Sequence, residues 1–321
     1  MYDVCGIGHA LVDLASRQEN SFLSVNNINI GEFRLIDINQ AKNFDLLITP
    51  EVIESGGSTS NTITCSASFG AKTAYIGCVS NDDYGKIFKE RLNLKGIEAC
   101  ITEDVSPAQT GRSYIIINPE GQRSMLSYQG VANNIELQHK QKDIVSKSKI
   151  FLVEGYLWES PKARDVSIKL AKASKKNGNL IAFSLSDSNC VKNNKEYFLD
   201  FIINYSDIIL CNEIEFETLM ENQKQIDLVS LLGHVNVIAV TKGKNGSIIL
   251  TQKEKIIIEP KSVNIVNTTG AGDAYAGGFL YGLTEGFTLK KSGELGNLIA
   301  AKVVSHLGNF VDVNIQEIKY L

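Results

Sequence analysis

Short apolar runs alternate with amphipathic stretches along most of the chain. "SKIFLVEG" precedes "PKARDVSIKLAKASKKNG", "NLIAFSLS" precedes "NKEYFLDFIINY", and "DIILCN" precedes "EIEFETLME". The first member of each pair is typical of a buried strand, and the second has apolar residues at helical spacing. Strands that alternate with helices of about 10–15 residues indicate βαβ units and a mostly parallel sheet. We therefore expect an α/β body with three layers, in which helices cover both faces of a central sheet.

Two segments depart from this alternation. Residues of about 12–55 have the pattern of polar strands and loops, and residues of about 98–130 contain a hairpin, "GRSYIIIN" and "RSMLSYQ", around the turn "PEGQ". Together they predict a small β-sheet that projects from the body, either as a lid over a site or as an oligomer contact. Residues 1–321 are thus predicted to form a single domain with an inserted lid, either monomeric or homodimeric.

Composition narrows the class of protein. The chain has 321 residues, 43% of them hydrophobic, and a net charge of −4, which indicates a globular protein without a basic surface for nucleic acid. No apolar run reaches the ~18 residues of a membrane span, and the first residues lack the basic start of a signal peptide. The sequence therefore predicts a cytoplasmic protein. Its six cysteines are expected to be small buried hydrophobes, since no C-x-x-C pair occurs.

The usual phosphate-binding motifs are missing, but one glycine pair stands out. G-x-x-x-x-G-K-[ST] is absent, and "CGIGHALVD" has Leu11 where a dinucleotide fingerprint needs its third glycine. In "ESGGSTSNTIT", Gly56 and Gly57 precede capping residues and Asn61. Either the glycines bring the backbone close to a ligand while Asn61 bonds its hydroxyls, or the stretch is a tight turn with an ordinary helix cap.

The stretch "NTTGAGDAYAGGF" places a carboxylate, Asp273, among glycines at the start of a predicted helix. Amide N–H groups and the helix dipole make such a turn a site for an anion. If the N–H groups hold a phosphoryl group in transfer, the neighbouring carboxylate is placed to accept the proton of the attacking hydroxyl. The alternative is that Asp273 only stabilises its own helix.

Three motifs together resemble those of the ribokinase (PfkB) family of sugar and nucleoside kinases. They are G-G-S-x-x-N at 56–61, N-x-x-E at 212–215 and T-T-G-A-G-D at 268–273, in the family's order, and the resemblance covers essentially the whole chain. "GHALVDL", "TGRSYIIINPEGQRSM", "VEGYLWESP" and "FSLSDSNCV" are similar to its bacterial adenosine kinase branch. The resemblance implies a ribokinase-like fold and transfer of phosphate from ATP, with Mg²⁺, to the 5′-hydroxyl of adenosine. Ribose, another sugar or another nucleoside is the alternative acceptor, and a nucleotide-binding protein without turnover is the alternative from another class.

The resemblance also assigns the acceptor side of the site. Asp273 would be the general base, and the N–H groups of Gly270, Ala271 and Gly272 would stabilise charge on the γ-phosphate. The acceptor pocket would contain four further residues: Asp13, whose carboxylate suits a vicinal diol, and Gly56, Gly57 and Asn61. Asp13 alone also fits a simple turn acid.

The nucleotide side is assigned in the same way. Asn212 and Glu215 would organise Mg²⁺ and phosphate, with Glu215 acting on the metal through water. The residues expected along the nucleotide are Thr241, Gly243, Gly246 and Asn297.

Lid residues have two interpretations each. Arg123 matches an arginine that reaches the phosphates when the lid closes, or it is an exposed strand charge. Ile115, Ile117 and Met125 either cover a nucleobase or form the lid's own core.

The chain departs from the family pattern at two places. Asn267 stands where relatives usually have an aspartate that helps to build a monovalent-cation site, so activation by K⁺ is in doubt. Asn309 and Phe310 replace the Ala-Arg of many relatives, near the same cation and nucleotide loop.

Overall fold

A large sheet forms the centre of the computed structural model, which describes residues 1–221, 227–264 and 268–305. Within these residues the sheet has nine strands in the order β14-β13-β12-β11-β10-β9-β1-β5-β6. The strands are β1 Tyr2–Ile7, β5 Thr73–Ser80, β6 Glu98–Asp104, β9 Ser148–Glu154, β10 Leu180–Ser184, β11 Ile208–Asn212, β12 Val237–Thr241, β13 Ser247–Leu250 and β14 Lys255–Ile258. Every neighbouring pair from β6 to β12 is parallel, and the last two pairs are antiparallel.

Helices cover both faces of this sheet, as the alternation of strands and helices predicted. One face packs against α3 Ser58–Ser68, α4 Asp83–Leu94, α10 Ala271–Thr284 and α11 Leu289–Val304. The other packs against α5 His139–Ser146, α6 Pro161–Lys175, α7 Ser188–Tyr205, α8 Glu213–Met220 and α9 Leu228–His234. Because each strand is buried from two sides, its sequence is a continuous apolar run; all eight residues of β5 are buried. The three-layer α/β fold is therefore confirmed. All six cysteines are buried, as expected.

Within the described residues a second sheet has five strands in the order β3-β8-β7-β2-β4, and it is called the lid below because it contains most of the segment predicted as a lid. Its strands are β2 Leu11–Arg17, β3 Phe33–Leu35, β4 Val52–Gly56, β7 Gly111–Ile117 and β8 Arg123–Tyr128, and two helices, α1 Asn20–Val25 and α2 Ile38–Leu47, lie between β2 and β4 along the chain. The predicted hairpin is the antiparallel pair β7–β8. Residues 98–104, which were expected in the lid segment, instead form β6 at the edge of the large sheet, paired in parallel with β5.

An ion pair inside the lid packs against the body. The guanidinium of Arg112, on β7, donates to both carboxylate oxygens of Asp45, at 3.0 and 2.6 Å. Arg112 is fully buried, with the rings of Tyr84 and Tyr128 at 5.0 and 5.2 Å. Because Tyr84 belongs to α4 of the body, its cation–π contact with Arg112 links the lid to the body. Among the described helices, none combines the length and apolarity needed to cross a membrane.

Candidate active site

Asp273 lies in the first turn of α10 and is held by two side chains of α3. Ser58 donates its hydroxyl to Oδ1 at 2.6 Å, and Asn61 donates its amide to Oδ2 at 3.0 Å. Burial raises the pKa of Asp273 to about 6, because the ionised form loses solvation. The nearby negative charge of Glu154 acts in the same direction, and the two hydrogen bonds oppose it. A fixed carboxylate with a pKa close to neutrality is suited to general-base catalysis.

The turn before α10 is formed by glycine for a geometric reason. Gly270 has φ 78°, in the left-handed region that side chains disfavour. The first intrahelical bond runs from the N–H of Ala274 to the carbonyl of Gly270 at 2.9 Å, while the N–H of Ala271 donates to Thr268 at 3.2 Å. A Cβ at Gly272 would meet no atom within 4 Å, so this part of the turn faces open space. Of the three amides predicted to bind the γ-phosphate, that of Ala271 is therefore already used within the turn.

A cavity of about 320 Å³ lies between the lid sheet and α3 and is called the acceptor cavity below, after the role predicted for its residues. Asp13 and Asn61 line it, together with Ile115 and Ile117 from β7. Asp13 is only 9% exposed. Two of the four predicted acceptor residues thus line the cavity with two of the three lid apolar residues, whereas Gly56 and Gly57 are not among its lining residues. Met125 pairs with Ile115 across β7–β8 and is not among the lining residues.

Glycine is required at both positions before α3 because the backbone there passes very close to other atoms. A Cβ at Gly56 would lie 2.1 Å from Oδ1 of Asp13, and one at Gly57 would lie 2.1 Å from the carbonyl oxygen of His9. Gly57 also has φ 91° as the residue that caps α3. The two glycines thus let the end of β4 pass directly beside the acceptor carboxylate.

Arg123 lines the acceptor cavity rather than the nucleotide cavity described next. Burial lowers the pKa of its guanidinium to about 10. The predicted contact with phosphates stays a prediction, since it requires movement of the lid.

A second cavity of about 530 Å³ is lined in part by the α10 turn. All four residues predicted along the nucleotide line it, as do Asn212 and the two residues that begin α10. These lining residues are Asn212, Thr241, Gly243, Gly246, Ala271, Gly272 and Asn297. The amide of Asn297 donates to the carbonyls of Ile258 and Glu259 at 3.2 and 3.1 Å, so it fixes the chain after β14 against the cavity wall.

Asn212 and Glu215 form a reciprocal cap at the start of α8. The N–H of Glu215 donates to the Asn212 side chain at 2.8 Å, and the N–H of Asn212 donates to the Glu215 carboxylate at 3.0 Å. Burial raises the pKa of Glu215 to about 7, and the negative charges of Asp187 and Asp273 add to the effect. A carboxylate whose ionised form is disfavoured in this way gains most from a nearby cation, which suits a role near Mg²⁺.

A compartment of about 80 Å³ lies between Asp273 and the Asn-x-x-Glu motif. It is lined by Asp273 and Gly272 on one side and by Asn212 and Glu215 on the other. The oxygen atoms around it are the kind that Mg²⁺ and phosphate-bound water require. The chain therefore places the predicted base, the open part of the glycine turn and the Asn-x-x-Glu motif around one small space.

Three residues at the site were missed as site residues by sequence reasoning. Ser58 was recognised only as a helix cap, although its spacing of three from Asn61 puts both side chains on one face of α3. Ser186 lines the small compartment with φ 69°, an unusual conformation for a residue other than glycine. Tyr275 lines both the nucleotide cavity and the small compartment. No sequence signal distinguished the last two.

Comparison with known proteins agrees with this geometry. A profile described as the pfkB family of carbohydrate kinases matches residues 3–313. The chain belongs to the pfkB family of carbohydrate kinases. As a pfkB kinase it is a phosphotransferase that acts on hydroxyl groups, and the resemblance inferred from its motifs is confirmed.

Individual pfkB relatives differ in the acceptor that their names give. A probable sugar kinase from Rhizobium etli CFN 42 superposes with a TM-score of 0.89 at 32% identity, covering 98% of this chain and 97% of that one. An adenosine kinase from Sinorhizobium meliloti superposes with a TM-score of 0.87 at 33% identity, covering 99% and 98%. A 5-dehydro-2-deoxygluconokinase from Clostridium perfringens is 28% identical over 267 residues, 78% of each chain. The family is thus established, while its named members act on different acceptors.

The departures from the pfkB pattern at Asn267, Asn309 and Phe310 lie outside the described residues.

Proposed function

We propose that the protein is an ATP- and Mg²⁺-dependent kinase that phosphorylates the 5′-hydroxyl of adenosine. One observation carries the proposal: Asp273, which lines the small compartment, is next to a residue of each of the two larger cavities. Asn61, which donates to Asp273, lines the acceptor cavity, and Gly272, which precedes Asp273, lines the nucleotide cavity. An acceptor hydroxyl and a terminal phosphate that enter from opposite sides would therefore meet at this carboxylate.

The acceptor cavity suits a nucleoside because it is polar at one end and apolar along one side. The carboxylate of Asp13 can accept hydrogen bonds from both hydroxyls of a vicinal diol. The strand β7 supplies Ile115 and Ile117, which offer an apolar surface to a nucleobase. A ribose bound by Asp13 would direct its 5′-hydroxyl along α3 towards Asp273.

In the proposed reaction, Asp273 takes the proton of the 5′-hydroxyl as its oxygen bonds to the γ-phosphorus. The bond between that phosphorus and the β–γ bridging oxygen breaks, so ADP leaves and AMP is formed. The open N–H groups at the start of α10 stabilise the negative charge of the phosphoryl group. Asn212 and Glu215 would hold Mg²⁺ through water, and the ion would neutralise charge on the phosphate oxygens.

A sugar acid is the second candidate acceptor, because cationic side chains also line the acceptor cavity. They are Arg17, Arg91, Lys95 and Arg123. Arg17 pairs with Glu51 at 2.7 Å, and Arg91 lies 3.9 Å from Glu54. A guanidinium is the preferred partner of a carboxylate, which would suit the 5-dehydro-2-deoxygluconate named for the curated relatives.

The test is ADP release by the purified protein with ATP and Mg²⁺, with and without K⁺. The acceptors compared are adenosine, inosine, guanosine, ribose, fructose and 5-dehydro-2-deoxygluconate. The highest kcat/KM on adenosine is expected. Preference for the sugar acid or a neutral sugar would replace the acceptor but leave the role of Asp273 in place. A folded protein that binds ATP and turns over none of the six would contradict the proposed reaction.

A further inference from the structure

A carboxylate that the proposed reaction does not use is buried near Asp273. Glu154 ends β9, and its side chain is fully buried. Its Oε2 accepts the N–H of Thr59 at 2.9 Å, and its Oε1 accepts the N–H of His9 at 3.2 Å. A Cβ at Gly8 would lie 2.2 Å from Oε2, so a glycine is needed there to leave room for the carboxylate.

The two amides belong to segments that carry opposite sides of the acceptor site. His9 lies in the connection from β1 to β2, and β2 carries Asp13. Thr59 lies in the first turn of α3, between the two residues that donate to Asp273. One carboxylate therefore connects the strand with the diol-binding aspartate to the helix that holds the base.

Burial of the Glu154 carboxylate costs it the solvation that water would provide. A buried carboxylate without a paired cation is unfavourable unless hydrogen bonds compensate for it. Among the described residues, the basic side chain within ion-pair range of Glu154 is that of His9, whose Nδ1 lies 4.0 Å from Oε1. The other ring nitrogen, Nε2, is 2.7 Å from the Asn133 side-chain oxygen. The hydrogen bonds from the two backbone N–H groups are thus the closest compensation for the burial of the carboxylate.

We propose that Glu154 is a positioning residue for phosphoryl transfer. Through the N–H groups of His9 and Thr59 it fixes the separation of Asp13 and Asp273, and it contacts neither substrate. The inference rests on the proposed role of Asp273 as the base. A displacement of about 1 Å between reacting groups lowers a rate by as much as about 100-fold. Loss of the hydrogen bonds from Glu154 should therefore lower kcat.

The negative charge of Glu154 also predicts a measurable effect on the pKa of Asp273. It opposes ionisation of Asp273, so its removal is expected to lower the pKa of that base. The titratable and polar groups that face Asp273 from its neighbouring elements are Ser58, Asn61, Cys65, Glu154, Tyr156 and Glu215.

The experiment compares Glu154→Gln with Glu159→Gln, an exposed glutamate five residues further on that bonds Gln129. In Glu154→Gln we expect kcat to fall about tenfold or more and KM for the acceptor to change little. The acid limb of kcat/KM should move to lower pH. Glu159→Gln should match the wild type. Glu154→Asp keeps the charge but shortens the reach, so it should lower kcat while leaving the acid limb in place.

Several results would contradict the proposal. An unchanged kcat and pH profile in folded Glu154→Gln would do so, as would a higher acceptor KM with unchanged kcat, which would indicate contact with the substrate. A lower melting temperature with unchanged kcat would reduce Glu154 to a structural group. If Glu154→Gln does not fold, Glu154→Asp decides on kcat alone.

Amide hydrogen exchange separates this proposal from the proposed reaction, because it needs no turnover. The N–H groups of His9 and Thr59 should exchange faster in Glu154→Gln than in Glu159→Gln. If exchange is faster in Glu154→Gln but the wild type has no kinase activity, the structural link is supported and the proposed reaction is rejected. Unchanged exchange would reject the link, whatever the activity.

Discussion

The two sheets of this kinase use polar residues in opposite ways. In the body, interior strands such as β5 are buried on both faces, and the polar groups of the site stand at strand ends and helix starts. In the lid, charged residues belong to the strands: Asp13 lies within β2 and Arg123 begins β8, and both line the acceptor cavity, while Arg112 on β7 is buried and paired with Asp45. A body held by apolar packing keeps the reactive groups in place, whereas a lid with polar surfaces can recognise an acceptor.

The comparison predicts that changes in the body mainly affect the chemical step, and that changes on the lid mainly affect the choice of acceptor. A variant that violates this division would show that the cavities do not act as proposed.

The largest effect is expected for Asp273→Asn in the body. The amide cannot accept the proton, so kcat should fall by about 10²–10⁴-fold while acceptor affinity changes by only a few fold. ADP release and calorimetric binding of adenosine measure the two quantities. Asp83→Asn, an exposed first-turn acid of α4, is the matched control. Retention of wild-type kcat would rule out Asp273 as the base.

A smaller effect is expected for Glu215→Gln, also in the body. The change removes the charge that would attract Mg²⁺, and loss of such a partner lowers metal affinity or activity about 10–100-fold. Titration of activity with Mg²⁺ should show a higher requirement for the ion. Glu213→Gln, two residues earlier on the same helix and paired with Lys242, is the control. An unchanged Mg²⁺ requirement would separate Glu215 from the metal.

Dependence on pH should follow the raised pKa of Asp273. Because that pKa is about 6, the base becomes protonated as the pH falls through this value. We expect kcat/KM for the acceptor to fall about tenfold per pH unit below it. Glu215, with a pKa raised to about 7, adds a second limb that Glu215→Gln should remove. A profile that stays flat well below pH 6 would be inconsistent with both assignments.

The smallest effect is expected for Arg123→Ala on the lid. If the guanidinium reaches the phosphates on closure, kcat should fall several fold with little change in adenosine binding. An effect limited to the acceptor Kd would argue against that role, and a loss specific to 5-dehydro-2-deoxygluconate would favour the sugar acid. Arg34→Ala, at a lid arginine outside the acceptor cavity, controls for loss of lid charge.

Sequence reasoning recovered the parts of the molecule that depend on local pattern. Buried parallel strands require continuous apolar runs, and their helices require apolar residues at helical spacing, so the order of elements was readable. The glycine turn and Asp273 were also readable, because conformation and charge are both local there. Strand β6 was misplaced because a short alternating strand carries no information about which sheet it joins.

The sequence by itself determined the α/β class, the family and the residues around one catalytic turn. Only the tertiary structure decided that Ser58 and Asn61 hold Asp273, that Arg123 lines the acceptor cavity, and that Glu154 bonds amides 145 and 95 residues away along the chain. These contacts join segments distant in sequence, and their distances, burial and shifted pKa values arise when the two sheets and their helices pack together. No local pattern specifies that packing.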